Sequence, residues 1–423
     1  MSNPSVSAIR LPRLRGKWRG GSLARRALLT VLEQIQIGSL TIHEGDETLH
    51  FGNQDDPTAP QAVINVNDSE VYRLVLTGGV VGSGESYMLG HWTSPELVDV
   101  IRLMSANLAM LQRMDAGKSL LYRMGLKLGH ALNSNTMTGS RKNISAHYDL
   151  GNDFFSLFLD PSMMYSAAVF PDPCASLEVA AEHKLDLICQ QLELDKSDHL
   201  VEIGSGWGGM AVHAARNYGC RVTTTTISRE QYEYTLERVR KEGLEDRVTV
   251  LCEDYRKLQG TFDKLVSIEM IEAVGHQFYS DYFNKCSSLL KPDGLMVIQA
   301  ITMADQRYEQ ARDRVDFIKR YIFPGGCLPS MEVISRHIAV DTDMQIVNLR
   351  DITEDYADTL ALWRERFNAA LPEVRAQGFD RLFELMWEFY LCYCEGGFRE
   401  RIISTVQLTF AKPGYRMQRR VSR

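Results

Sequence analysis

The chain has 423 residues, 44% of them hydrophobic and 24% charged, a composition that excludes disordered and fibrous proteins and leaves room for one large core and a smaller one. Its formal net charge of −7 argues against general nucleic-acid binding, and the lack of any apolar run of about 18 residues excludes a membrane-spanning helix. Eight cysteines without a C-x-x-C pair read as reduced, buried thiols of a cytosolic protein and offer no metal site.

In chain order, residues 1–31 form a basic arm. Arg10, Arg13, Arg15, Lys17, Arg19, Arg25 and Arg26 occur there without an acidic residue, among Trp18, Leu23, Leu28 and Leu29. Such a segment suits an anionic leaflet or a solvated terminus equally well, and is expected to form no core. Residues 32–112 read as a small α+β accessory domain, with strands at 38–43 and 61–66, a helix at 69–77, a glycine-rich turn at 78–85 and an amphipathic helix at 94–112. Residues 113–141, with two glycines and an Asn-Ser-Asn-Thr stretch, read as a linker.

From 142 to 411 strand and helix alternate: helix 176–194, strand 200–203, helix 209–217, strand 221–226, helix 229–242, strands 248–252 and 262–268, helix 277–290 and strand 294–300. A basic tail, 412–423, follows a last strand at 404–410. This alternation predicts an α/β protein with a doubly wound, Rossmann-like parallel sheet, whose ligands lie beyond the carboxyl ends of its strands. Those ends are Gly204–Gly206, Thr226, Asp254, Glu269–Glu272 and Gln299–Ile301.

The stretch from His199 to Met210 is a buried strand, a glycine turn and the start of a helix, a construction that brings backbone N–H groups to a nucleotide-like ligand. Its order, Glu202-x-Gly204-x-Gly206-Trp207-Gly208, departs from the dinucleotide fingerprint, and the next strand ends in Thr226-Ile227-Ser228 without a ribose-binding carboxylate. The pattern resembles the first motif of S-adenosylmethionine (SAM) dependent methyltransferases, whose sheet has seven strands with the last one antiparallel.

Further motifs narrow the resemblance. The runs 147–155 (HYDLGNDFF), 159–166 (LDPSMMYS), 202–209 (EIGSGWGG), 226–231 (TIS followed by Gln231) and 321–329 (YIFPGGCLP), in that order, are similar to the cyclopropane-fatty-acid synthase family, and Gly84-Glu85-Ser86-Tyr87-Met88 resembles the accessory domain of its phospholipid-acting members. The resemblance implies SAM-dependent transfer of a methyl group to the cis double bond of an unsaturated phospholipid acyl chain. It also implies a homodimer that works in the cytoplasm, peripherally at the inner face of the membrane.

Carried over residue by residue, Tyr148, Tyr165, Ser166, Glu202, Gly204, Gly206, Trp207, Gly208, Thr226, Gln231, Asp254 and Tyr255 would hold SAM. Glu272, Tyr356 and the Ile301 backbone would hold the bicarbonate that the family uses to remove a proton. Two positions depart from the family: Ala167 stands where it has cysteine, and Gln299 where it has histidine. The cysteine acts through its backbone, which alanine preserves. An amide cannot hold an anion as a cation does, so Gln299 puts the bicarbonate in question. Without that base, proton loss from a neighbouring chain carbon would give a methyl-branched alkene instead of a ring, and a chain that binds SAM and lipid without catalysis is a third reading.

Overall fold

Two units follow one another in the chain, Met1–Arg123 and Met124–Arg423. The computed structural model describes residues 21–108, 110 and 150–416. Tyr148, the linker 113–141 and the outer parts of both basic termini lie outside the described residues.

The first unit folds around a four-stranded sheet of order β2-β1-β3-β4. Strand β1 (Ser39–Glu44) forms a hairpin with β2 (Glu47–Gly52), runs parallel to β3 (Gln61–Val66), and β3 pairs with the short β4 (Trp92–Thr93). Two of its features differ from the sequence reading. The inner part of the basic arm is a helix, α1 (Gly21–Leu32), with Leu28 and Leu32 buried, and Arg25 is bound to Glu44 at 2.7 Å and Glu47 at 2.6 Å. Three-to-four spacing of leucines among arginines is what an amphipathic helix needs, so this stretch belongs to the core. The glycine-rich stretch is also no turn: α2 runs from Glu70 to Met88 and only Gly79, at φ 56° and ψ −131°, leaves helical geometry. A side chain on Gly82 would strike the Leu74 carbonyl, so glycine is what lets the kinked halves pack closely.

The second unit is built on the predicted sheet, in the order β10-β11-β9-β8-β5-β6-β7. Strands β5 (His199–Ile203), β6 (Arg221–Thr226), β7 (Val248–Cys252), β8 (Phe262–Ile268) and β9 (Leu290–Met303) are mutually parallel. The closing strand β11 (Ile403–Ala411) is antiparallel to both of its neighbours, as expected. It is not the edge of the sheet. That place goes to β10 (Gln345–Asp351), whose seven residues are all exposed and whose pairing is interrupted by a register shift, so it carries no burial alternation that a sequence reading could detect.

Helices cover both faces of this sheet. Tyr279–Leu289 and Met331–Asp341 pack against one, through Tyr282, Phe283 and Ile334, and Leu177–Gln191 and Gly209–Tyr218 against the other, through Ile188, Met210 and Ala214. In the basic tail, Lys412 is tied to Asp343 and, at 3.1 Å, to the Ser287 hydroxyl, so this charge is committed internally. Cys174 and Cys252 are exposed, contrary to the expectation of burial, whereas Cys189, Cys220, Cys286, Cys327 and Cys392 are buried.

Candidate active site

The glycine turn after β5 has the geometry its sequence demands. Gly204, Gly206 and Gly208 take φ values of 94°, 48° and 81°, and the N–H groups of Gly204 and Ser205 both donate to the Thr225 carbonyl, at 3.0 and 2.9 Å. A Cβ placed on Gly206 meets no atom within 4 Å, so open space lies over the turn where a ligand would rest. Just before it, Glu202 is fully buried, and its Oε2 has no hydrogen-bond partner among the described residues. Burial pushes this carboxyl up to about 8. An orphaned acid beside an open glycine cradle at a helix N-terminus suits the amino-acid end of SAM, so the residues present fit the methyl donor.

Around this cradle, Thr226 Oγ1 donates to Gln231 Oε1 at 2.8 Å and accepts the Ser228 N–H at 3.1 Å. Asp254 accepts from Arg256 Nε and Nη2 at 2.8 and 2.7 Å, and the guanidinium lies 5.7 Å over the Tyr255 ring. Trp207 lies within the same turn. Its indole donates to Asn152 Oδ1 at 2.6 Å and packs 5.1 Å from Phe155, which joins the turn to an aromatic wall.

A second feature stands at the ends of β8 and β9. Glu269, the residue after β8, adopts φ 48°, which is unusual without a glycine, and its N–H donates to the Gln299 carbonyl at 2.8 Å. Its carboxylate is held by three donors. Oε1 accepts from the Ala167 N–H at 2.9 Å and Gln299 Nε2 at 2.8 Å, and Oε2 accepts from the Tyr356 hydroxyl at 2.7 Å. The Gln299 amide is fixed in turn: Gln407 Nε2 donates to its Oε1 at 3.0 Å, and Gln191 Nε2 donates to Gln407 Oε1 at 2.7 Å.

Three residues along the chain, Glu272 accepts the Ile301 N–H on Oε1 at 2.5 Å, while its Oε2 has no partner among the described residues. Burial first, and the neighbouring Glu269 charge second, push this carboxyl up to about 8. Lys184, entirely buried on Leu177–Gln191, donates to Ser166 Oγ at 2.9 Å. Burial lowers its ammonium to about 8 against the attraction of Glu269, Asp160 and Glu202. Two adjacent buried carboxyls do not both ionise readily. Burial pushes Glu269 up as well, but its three donors and the field of Lys184 act against that, so of the two it is the carboxyl favoured to carry the charge.

Aromatic rings close the region. Tyr165 shares a 2.9 Å hydrogen bond with the Tyr390 hydroxyl and lies 5.4 Å from Trp363, and Tyr356 stacks on Phe398 at 4.5 Å. The 321–329 motif is docked onto the same place, its Cys327 N–H donating to the Glu272 carbonyl at 2.8 Å. Most of the C-terminal aromatics are core, Trp363, Phe367 and Trp387 among them.

The structure therefore brings Ala167, Gln299, Ile301, Glu272 and Tyr356 together, and separately gathers Glu202, the glycines, Thr226 and Gln231 around the turn. Sequence reasoning missed Glu269, Lys184 and Gln407. Glu269 lay within a strand end already singled out, and a second carboxylate three residues before Glu272 was its only signal. Lys184 stands beside Glu182, His183 and Asp186 on its helix and Gln407 near Thr405 and Thr409 on its strand, and nothing local tells either from a surface position.

Comparison with known proteins places these features. The family model for mycolic acid cyclopropane synthetase matches residues 135–408. The chain is 36% identical to the tuberculostearic acid methyltransferase UfaA1 of Mycobacterium tuberculosis, over 85% of each chain. It is 37% identical to the cyclopropane-fatty-acyl-phospholipid synthase of Escherichia coli, over 83% of this chain and 88% of that one. The solved structure of the mycolic acid cyclopropane synthase CmaA1 complexed with SAH and CTAB superposes with a TM-score of 0.60 and 30% identity, covering 64% of this chain and 98% of that one. The chain accordingly belongs to the mycolic acid cyclopropane synthetase family, SAM-dependent methyltransferases that build cyclopropane and methyl groups on lipids.

Proposed function

We propose that this protein transfers the SAM methyl group to the cis double bond of an unsaturated phospholipid acyl chain and closes a cyclopropane ring. The observation that carries the reading is the buried anionic centre, Glu269 with Tyr356, Ala167 and Gln299, set among aromatic rings at the carboxyl ends of β8 and β9. An olefin is a weak nucleophile, so alkylating it needs an electrophilic methyl, which SAM supplies when bound, and a dry pocket where the resulting cation is stable. The protein's part is to hold the two carbons in line with the methyl, to face the cation with the rings of Tyr165, Trp363 and Tyr356, and to set a carboxylate nearby.

Coverage supports a phospholipid over a mycolic substrate. The mycolic acid synthase CmaA1 is accounted for by 64% of this chain. Likeness to the phospholipid synthase spans 83%, more than the unit Met124–Arg423 holds, so it extends into the N-terminal unit. Among the described residues no helix is long and apolar enough to cross a membrane, which accords with peripheral access to lipid. The 36% identity to a tuberculostearic acid methyltransferase favours a second reading, in which the same transfer ends in a methyl branch.

The test is incubation of purified protein with SAM and liposomes of a cis-monounsaturated phospholipid, followed by mass spectrometry and proton NMR of the released chains. A gain of one CH₂ with upfield ring protons is the expected result. A gain with a surviving vinylic signal selects the branched product, and no gain on any unsaturated lipid refutes the reading.

A further inference from the structure

We propose that Glu269 is the resident anion of this site: its carboxylate stands where a bicarbonate would bind and itself takes the proton from the cationic lipid intermediate. The proposal rests on the olefin-methylation reading above. In the step, the π pair of the double bond forms a bond to the methyl carbon as the carbon–sulfur bond breaks, leaving S-adenosylhomocysteine and a carbocation on the acyl chain. A proton then passes from the new methyl group to the Glu269 carboxylate, and its C–H pair forms the second new carbon–carbon bond of the ring, leaving Glu269 neutral.

Among the described residues, the geometry leaves only Glu272, of the groups assigned to bicarbonate, unengaged on one oxygen. Besides Glu272, the resemblance assigns the anion the backbone at 167, the side chain at 299, the Tyr356 hydroxyl and the Ile301 backbone. The first three already donate to Glu269, at 2.9, 2.8 and 2.7 Å, and the Ile301 N–H donates to Glu272 at 2.5 Å. The histidine-to-glutamine departure fits the same account. A resident carboxylate needs a neutral donor held in one orientation, and the relay from Gln191 through Gln407 fixes the Gln299 amide with its NH₂ toward Glu269. The backbone points the same way: φ of 48° at Glu269 is a strained conformation retained where it aims a side chain. Donors on both oxygens and the buried Lys184 favour the carboxylate form of Glu269, while burial raises its affinity for a proton.

Two variants test the assignment. Glu269→Gly suits the left-handed backbone and frees all three donors, while Glu269→Gln keeps the volume but supplies no base. In carbonate-free buffer, wild-type turnover on the phospholipid liposomes is expected to stay within about twofold of its value with bicarbonate. Turnover of either variant should fall about 100-fold or more, the scale of a lost general base. Millimolar bicarbonate should restore Glu269→Gly by at least about tenfold and leave Glu269→Gln inactive, with SAM affinity held within about threefold in both. Wild-type turnover that depends on bicarbonate, or Glu269→Gly turning over at the wild-type rate without it, would overturn the proposal.

Binding of ¹³C-bicarbonate followed by NMR gives a readout free of the lipid assay. Binding to Glu269→Gly and not to wild type is expected, and binding to wild type refutes the anion assignment. No lipid methylation by a wild type that also binds no bicarbonate would instead defeat the olefin reading and the catalytic step with it, leaving Glu269 as the resident anion.

Discussion

Gly206 and Glu269 share a left-handed backbone, at φ 48° each, and use it in opposite ways. At Gly206 the absent side chain is the function, because the space a Cβ would occupy is open and belongs to the ligand. Gly206→Val fills that space and places a β-branched residue at positive φ. Overpacking of this kind costs about 1–3 kcal/mol, and SAM affinity measured by calorimetry should therefore fall about 10- to 100-fold. Unchanged affinity would place the cofactor elsewhere. At Glu269 the same backbone strain aims a carboxylate, and a glutamate in that conformation announces nothing until its three donors are seen.

At the scale of elements, the site is a product of neighbouring strands. β8 delivers Glu269, β9 delivers Gln299 and Ile301, and antiparallel β11 sets Gln407 directly opposite Gln299. The relay ends on Gln191, in the last turn of the helix Leu177–Gln191 that also carries Lys184. Gln407→Leu would leave the buried Gln299 Oε1 without its Gln407 donor. Unsatisfied buried polar groups cost about 1–3 kcal/mol, so chemical denaturation should show a loss of that size. The freed amide can rotate away from Glu269, so kcat should fall more than KM. A variant with wild-type stability and kcat would show the relay to be passive.

Across the whole molecule, buried charge makes stability depend on pH. Glu272 and Glu202 are pushed from 4.5 to about 8, so between those values the native state binds protons that the unfolded chain has lost, and their contribution falls as pH rises. Lys184, lowered from 10.5 to about 8, acts with the opposite sign above pH 8, where the unfolded chain keeps the proton longer. His199, His213 and His276, held below 6.5 by burial, likewise gain stability with rising pH. A difference measurement isolates Glu272. The melting temperature of Glu272→Gln relative to wild type should rise from pH 5 to pH 8, by an amount worth a few kcal/mol at most. A constant difference would mean that Glu272 does not change protonation on folding in this range.

The order of strands and helices in the second unit was legible in the sequence because each element carries its own period and its own stops, and the glycine turn because its spacing is a local demand of the backbone. β10 was not, since an edge strand exposed at every residue has no face to alternate, and neither was the helical run through 78–85, where close packing overrode glycine's preference for turns. For the site, the strand-end rule pointed to 269–272 and 299–301, and only the family resemblance pointed to Tyr356 and Ala167. The distribution of charge among these groups was settled only by tertiary structure. Burial, hydrogen bonds between residues as distant in sequence as Ala167 and Glu269, and the approach of Lys184 decide which carboxyl is ionised. Those energies depend on distance and solvent exclusion in the folded chain, and the order of residues does not contain them.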